Sequence, residues 1–430
     1  MLGKLQEFQD KDIFGRLKIS YDKLDDAEKS ILLDIACFFV GKGRENAFHM
    51  WKDSRLYPVA TIRTLIHKSL IKISSLTDEF EMHDQIQDMA REIVLQEGRS
   101  DPGKRSRLWD PDEILDVLKN AEGSRKIEGI VFNSKEGSNT HVSTKAFKKM
   151  LNLRLLHVNN THIQGKFDCF PKKLKWLEWR GCPLKSLSED FGLEKIVVLN
   201  LSSSMITKDW NMRGMIDVVL NNIRYIWRKQ PQPRGKTYSR MKVLDLSNCI
   251  HLVATPSFSC LPELVKLVLD GCVRQAKIDK SIGHLKSLGI LTMGRCIRLK
   301  ELPYEICKLS CLKKLNLYDC KRLSILPEKL GGMESLTELI LDSTSIKKLP
   351  ESIGRLESLK ELLIKGTRIE GIPETIQHLA NLELLDVSYC RSLSELPYSI
   401  GEAKSLRQLR LDETPIQELP KSIGDCDQLE

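Results

Sequence analysis

Nowhere in the 430 residues does an apolar run approach the 18 or more that a bilayer-spanning helix needs. The best candidate, Ile31 to Val40, is ten residues long and is interrupted by Asp34. The opening stretch, Met1 to Asp12, has no apolar core, so no secretory leader is expected. There are 12 Cys, yet no CxxC pair with a CxxC or HxxxH partner, so the spacing that wraps a tetrahedral zinc ion is missing. GxSxG, HExxH and GxGxxG do not occur. The nearest approach to a phosphate loop, Gly98 to Arg105, has Arg105 where a hydroxyl must meet magnesium, and it follows a helical stretch where a strand is required. No catalytic constellation remains, so an enzyme is not expected. Together these absences predict a chain of the cytoplasm or nucleus, off the membrane, with reduced thiols.

The charge excess is +9 and mostly interspersed with acid, which suits a solvated surface better than a nucleic-acid groove. The exception is Asn221 to Lys242, with basic residues, no acid, and Tyr225, Trp227 and Tyr238. Such a mixture serves a phosphate backbone or an anionic surface. An exposed insertion loop accounts for it equally well.

What is present is a repeat. The pattern LxxLxL recurs from Leu153, Leu174, Ile196, Met241, Leu264, Leu288, Leu312, Leu336, Leu359, Leu382 and Leu406, with spacings of 23 or 24 from Met241 onward. That is the period of a leucine-rich repeat, in which each unit supplies one short strand and neighbours bury a shared core. From Ile196 to Met241 the gap is twice the period, so either one unit has decayed or about one unit's length is inserted near 205–240. Leu429 falls where a twelfth unit would open, which suggests a truncated array.

Eight residues past each start stands Thr161, Cys182, Ser204, Cys249, Cys272, Cys296, Cys320, Thr344, Thr367, Cys390 or Thr414. Every one is small and carries a hydroxyl or thiol, so the column reads as interior rungs that bridge to the next coil's backbone. Prolines at 303, 327, 350, 373, 397 and 420 follow each Cys by seven residues and each Thr by six, which predicts two kinds of turn. On the concave side, positions two, four and six past each start should face solvent and meet partners: Trp176, Glu178, Arg180, Asp270, Lys314, Tyr318, Asp342, Lys365, Asp386, Arg410 and Asp412.

Before the repeats, Asp25 with Glu28 reads as a capping box opening a helix that stops at Gly41. Pro58 begins a helix expected to reach Ile71. Leu70 to Ile73 and Phe80 to Met82 read as strands, and Asp84 with Gln87 opens a helix to Gly98. Helices followed by a β-ribbon suggest a winged helix, though its second helix offers only Arg63, His67 and Lys68 to DNA. Asp110 to Glu113 start a short helix, Ile127 to Phe132 form a strand, and Ser143 caps a helix. The fold class expected is an α/β leucine-rich-repeat solenoid preceded by a mainly α winged-helix domain, divided as 1–100, a linker over 101–150, and repeats over 151–430.

Three segments, Leu17 to Phe39, Glu81 to Asp84 (EMHD), and Ser106 to Asn120 with Ile127 to Phe132, carry a resemblance. With the repeats they resemble plant nucleotide-binding, leucine-rich-repeat immune receptors of the Toll/interleukin-receptor class, which include the flax rust resistance proteins. The resemblance implies that residues 1–100 end the nucleotide-binding (NB-ARC) module. It also implies that Met82, His83 and Asp84 match the motif whose His meets the ADP phosphate. It implies ADP or ATP in the intact family, and a pathogen effector or host regulatory protein on the concave repeat face. The Toll-type domain and phosphate loop are not in the sequence, so the chain is expected to be a truncated receptor that binds no nucleotide alone. Two alternatives stand beside it: an extracellular ectodomain, since Asn159-Asn160-Thr161 and Asn200-Leu201-Ser202 are glycosylation sequons, and nucleic-acid binding through Asn221 to Lys242.

Overall fold

Asp25 opens the first capped helix of this computed structural model, which describes residues 14–134, 140–186, 191–207, 239–255 and 257–430. The Asp25 carboxylate accepts from Glu28 N at 2.8 Å and Asp25 N donates to the Glu28 carboxylate at 3.0 Å, the reciprocal box that the spacing predicts. Helix α1, Asp26–Asp34, continues as a π-helical turn, Ile35–Phe39, and ends against Gly41 at φ 71°. Helices α2 (Arg44–Asp53) and α3 (Pro58–His67), the ribbon β1–β2 (Lys72–Ile73 with Phe80–Glu81, antiparallel), and α4 (Asp84–Gln96) complete a winged helix. α2 was not foreseen, because RENAFHMWKD buries only Ala47, Met50 and Trp51, too sparse a stripe to stand out. α3 stops four residues short of Ile71, where Ser69 takes a left-handed conformation.

The chain divides into two compact units, Met1–Trp179 with Asp190–Leu199, and Arg180–Glu189 with Asn200–Glu430. This division falls inside the repeats. In the first unit, α5 (Pro111–Lys119) is capped by Asp110, which accepts from two backbone amides. Strands β3 (Arg107–Leu108), β4 (Gly129–Asn133), β6 (Leu155–Asn159) and β8 (Trp176–Glu178) pair in parallel, with β5 (His141–Ser143) and β7 (His162–Gln164) forming a separate ribbon. The linker thus supplies strands to the same sheet as the first repeats. Ser143 caps a 3-10 turn, Thr144–Phe147, in place of a full helix.

In the second unit, eight strands from Val243–Asp245 to Gln408–Arg410 pair in parallel in chain order. The register aligns equivalent positions: Lys266, Ile290, Lys314, Glu338, Glu361, Leu384 and Gln408 are successive partners. The pattern leucines Leu267, Leu291, Leu315, Leu339, Leu362 and Leu385 are fully buried between coils. After the prolines, 3-10 turns such as Tyr304–Lys308 and Glu351–Arg355 run back, with the proline as N-cap. Leu201 N donates to Asp245 O at 2.8 Å and Ser203 N to Ser247 O at 2.7 Å, so residues 201–203 lie directly against the coil of Met241 with no coil between. The doubled gap is therefore an insertion, and no unit has decayed. Residues 208–238, which hold most of the basic stretch, lie outside the described residues.

The rungs are interior, but the cysteines bond the backbone of the preceding coil and not that of the next. Cys272 Sγ donates to Leu246 O, Cys296 to Leu269 O, Cys320 to Met293 O and Cys390 to Ile364 O, all at 3.1–3.3 Å. Threonine rungs behave differently: Thr344 and Thr414 donate to Leu341 O and Leu411 O of their own coil, at 2.7 and 2.8 Å. Thr367 Oγ1 instead lies 3.3 Å from Cys390 Sγ of the next coil. Burial pushes the thiols up, to about 12 for Cys320 and Cys182.

One regularity escaped the sequence pattern. The residue before each rung has positive φ in every coil: Asn160, Gly181, Ser203, Asn248, Gly271, Arg295, Asp319, Ser343, Gly366, Tyr389 and Glu413, all between 54° and 71°. Gly, Asn, Asp and Ser tolerate this left-handed corner, while Arg295, Tyr389 and Glu413 adopt it at a cost.

Candidate functional site

The Met-His-Asp corner sits where β2 turns into α4. His83, not Asp84, is the helix N-cap, with Nδ1 accepting from Gln85 N at 3.2 Å. That bond requires a neutral ring whose proton is on Nε2, and His83 is exposed. Asp84 is the first helical residue, exposed, and favourably placed at the positive end of the helix. Met82 is half-buried and follows the strand rather than belonging to it.

A buried ionic joint lies at the heart of the first unit, and no motif search finds it. Asp34, 1% exposed, accepts from Trp51 Nε1, from Arg107 Nε and from Arg154 Nη2, each at 2.8 Å. These donors come from α2, β3 and the turn before β6, so winged helix, linker and first repeat converge on one carboxylate. Arg107 also reaches Ser30 O at 3.1 Å. Burial alone would push the Asp34 carboxyl up, but Arg154 and Arg107 hold it below its usual range. Its only trace in the sequence is an acid inside the longest apolar run. Beside the joint, Lys175 Nζ pairs with the Asp53 carboxylate at 2.8 Å, and the Phe39 and Trp176 rings lie 5.3 Å apart.

Two residues expected on the solvent side are thus corrected. Trp176 is 5% exposed, packed on Phe39 and His157. Glu178 is buried, accepting from Asn159 Nδ2 at 3.1 Å and lying 3.8 Å from His157 Nε2. Alternation predicts one buried face, but here the winged helix and linker cover the other.

The remaining positions divide into three groups. Arg180, Tyr318, Lys365, Arg410 and Asp412 are exposed, with Lys365 Nζ lying 5.0 Å from the Tyr389 ring centroid. Lys314 pairs with Glu338 on the next strand. The aspartates are half-buried or buried and hold backbone: Asp270 accepts from Gly294 N and from Thr292 Oγ1 (2.8 Å), Asp342 from Lys365 N (2.8 Å), and Asp386 from Ser388 N (2.9 Å). Burial pushes the Asp270 and Asp342 carboxyls up. These aspartates brace the strand ends and leave the tyrosines and cations to reach outward.

Against known families, the winged-helix model of Roq1-like disease resistance proteins matches residues 25–98, and a leucine rich repeat model matches 334–391. The chain is 34% identical over 314 residues to disease resistance protein RPV1 of Vitis rotundifolia, covering 66% of this chain and 21% of that protein. It is 30% identical over 271 residues to TMV resistance protein N of Nicotiana glutinosa, covering 63% and 21%. These matches support a plant NLR-type protein. The chain spans about a fifth of the length of these relatives. The matched winged helix is the part that holds both the Met-His-Asp corner and Asp34. Among solved structures, the crystal structure of a TLR13–ssRNA13 complex aligns with a TM-score of 0.50 at 19% identity, covering 76% of this chain and 48% of that one, a likeness of fold alone. Among the described residues, no helix is long and apolar enough to cross a membrane, and no cluster of three or more His, Cys, Asp or Glu could hold a metal.

Proposed function

We propose that the chain serves as the recognition and relay portion of an intracellular plant immune receptor, in the cytoplasm or nucleus, with no chemistry of its own. The repeats bind a pathogen effector or a host regulatory protein on the strand face, through Arg180, Tyr318, Lys365, Arg410 and Asp412. The corner at Met82, His83 and Asp84 reports whether the intact receptor holds ADP or ATP. The observation that carries the relay is the joint at Asp34: a winged helix and a first repeat that share one buried carboxylate move as one body, so a bias applied to either is felt by both.

The corner itself does not amount to a nucleotide site. It offers one exposed imidazole edge and the first turn of α4, and the sequence supplies no phosphate loop beside it. The reading therefore includes no nucleotide binding by this chain alone, and titration calorimetry with ADP tests it: micromolar binding overturns it. Recognition is tested by exchanging residues 312–430 with the matching segment of a relative of different specificity in a full receptor and scoring defence signalling. Specificity should follow the exchanged segment; specificity that stays behind contradicts the assignment.

A further inference from the structure

The strand face is not the only surface of the second unit that asks for a partner. The turns leaving four successive strands, 271–277, 295–301, 319–325 and 343–348, hold nine Lys and Arg against two acids, Glu301 and Asp319. That single edge accounts for most of the chain's formal excess of +9. Arg274, Arg298 and Arg322 occupy the same place in their coils, two residues past rungs Cys272, Cys296 and Cys320. Because the coils stack in register, their backbones are about 4.8 Å apart from one coil to the next. All three are exposed, and none makes a side-chain hydrogen bond or ion pair among the described residues. Like charges stacked at this spacing repel one another, a cost that an anion laid across them would relieve.

The same edge is not uniformly polar. Ile250, Ile297 and Ile325 are 50%, 40% and 63% exposed on these turns or the one before. Guanidinium groups interleaved with aliphatic side chains match a protein interface, where arginine bonds a carboxylate through two parallel N–H donors. The turns carry no aromatic residue on which a nucleobase could stack.

We propose that this edge is a docking strip for an acidic, amphipathic segment of a partner protein, laid across the coils with carboxylates on Arg274, Arg298 and Arg322 and apolar side chains on Ile297 and Ile325. An extended segment of about five residues spans the four coils.

The probe is a short fluorescent peptide alternating Glu with Leu, its binding to the full chain followed by anisotropy in low and high salt. Expected are saturable binding, weakening with salt, and a loss of at least roughly tenfold in R298E/R322E. K308E, on the 3-10 turn of the same coil, should leave affinity unchanged. A Lys-Leu peptide should in turn bind R298E/R322E, which shows that the variant is folded. Failure of the Glu-Leu peptide to bind, affinity unchanged by R298E/R322E, or tighter retention of oligothymidine or anionic vesicles at the same arginines would each overturn the proposal.

Discussion

Arg154 Nη2 donates to both carboxylate oxygens of Asp34, each at 2.8 Å, across 120 residues of chain. The first repeat thus reaches back to the first helix of the winged helix, and the two are parts of one folding unit.

Breaking that relationship should be costly. Asp34→Asn leaves buried Arg107 and half-buried Arg154 with only the more exposed Glu128 carboxylate as counter-charge, for which a loss of about 3–5 kcal/mol in urea-unfolding free energy is expected. The sign with pH follows. The folded carboxyl is held below its ordinary value of 3.8, so its stabilisation is complete above about pH 4 and is lost as pH falls through the lower folded value. The wild-type advantage over Asp34→Asn should shrink only in strong acid; an advantage that shrinks near neutrality contradicts the assignment.

Asp270 and Asp342 run the other way. Burial raises both carboxyls, so each is less favourable ionised in the fold than in the unfolded chain, and each costs stability as pH rises through the carboxylate range. Asp342→Asn keeps an oxygen for Lys365 N, and the melting temperature at neutral pH should hold or rise slightly.

The left-handed corners predict opposite outcomes at neighbouring coils. Arg295→Gly should stabilise by about 1 kcal/mol, because a side chain at φ 60° is strained and glycine is not. Gly271→Ala should destabilise: at φ 71° a Cβ would lie 2.2 Å from Asn248 Oδ1. Chemical denaturation of the two variants checks both signs.

Thiol labelling separates the rungs from the surface. Cys311 is exposed, while Cys249, Cys272, Cys296, Cys320 and Cys390 are fully buried with their pKa pushed up. A thiol reagent should modify Cys311 rapidly in the native chain and reach those five only on unfolding.

The periodic features were legible in the sequence because they repeat. Leucines and rungs each recur once per coil, so the strands and the interior column could be placed from spacing alone. The capping box at Asp25 was legible because its partner lies three residues away. What was not legible depends on contacts far apart in sequence. Nothing local to Asp34 announces Arg107 or Arg154, and Trp176 occupies a position that alternation assigns to solvent until the winged helix covers it. The left-handed column was hidden because Arg295, Tyr389 and Glu413 stand where glycine or asparagine would have marked it.

The most direct test of the joint is hydrogen exchange followed by mass spectrometry on wild type and Asp34→Asn. Peptides from 26–39 and 153–179 should lose protection together in the variant, while those from 288–410 keep theirs. Loss confined to 26–39, with 153–179 protected as in wild type, would show that the winged helix and the first repeats are not one unit.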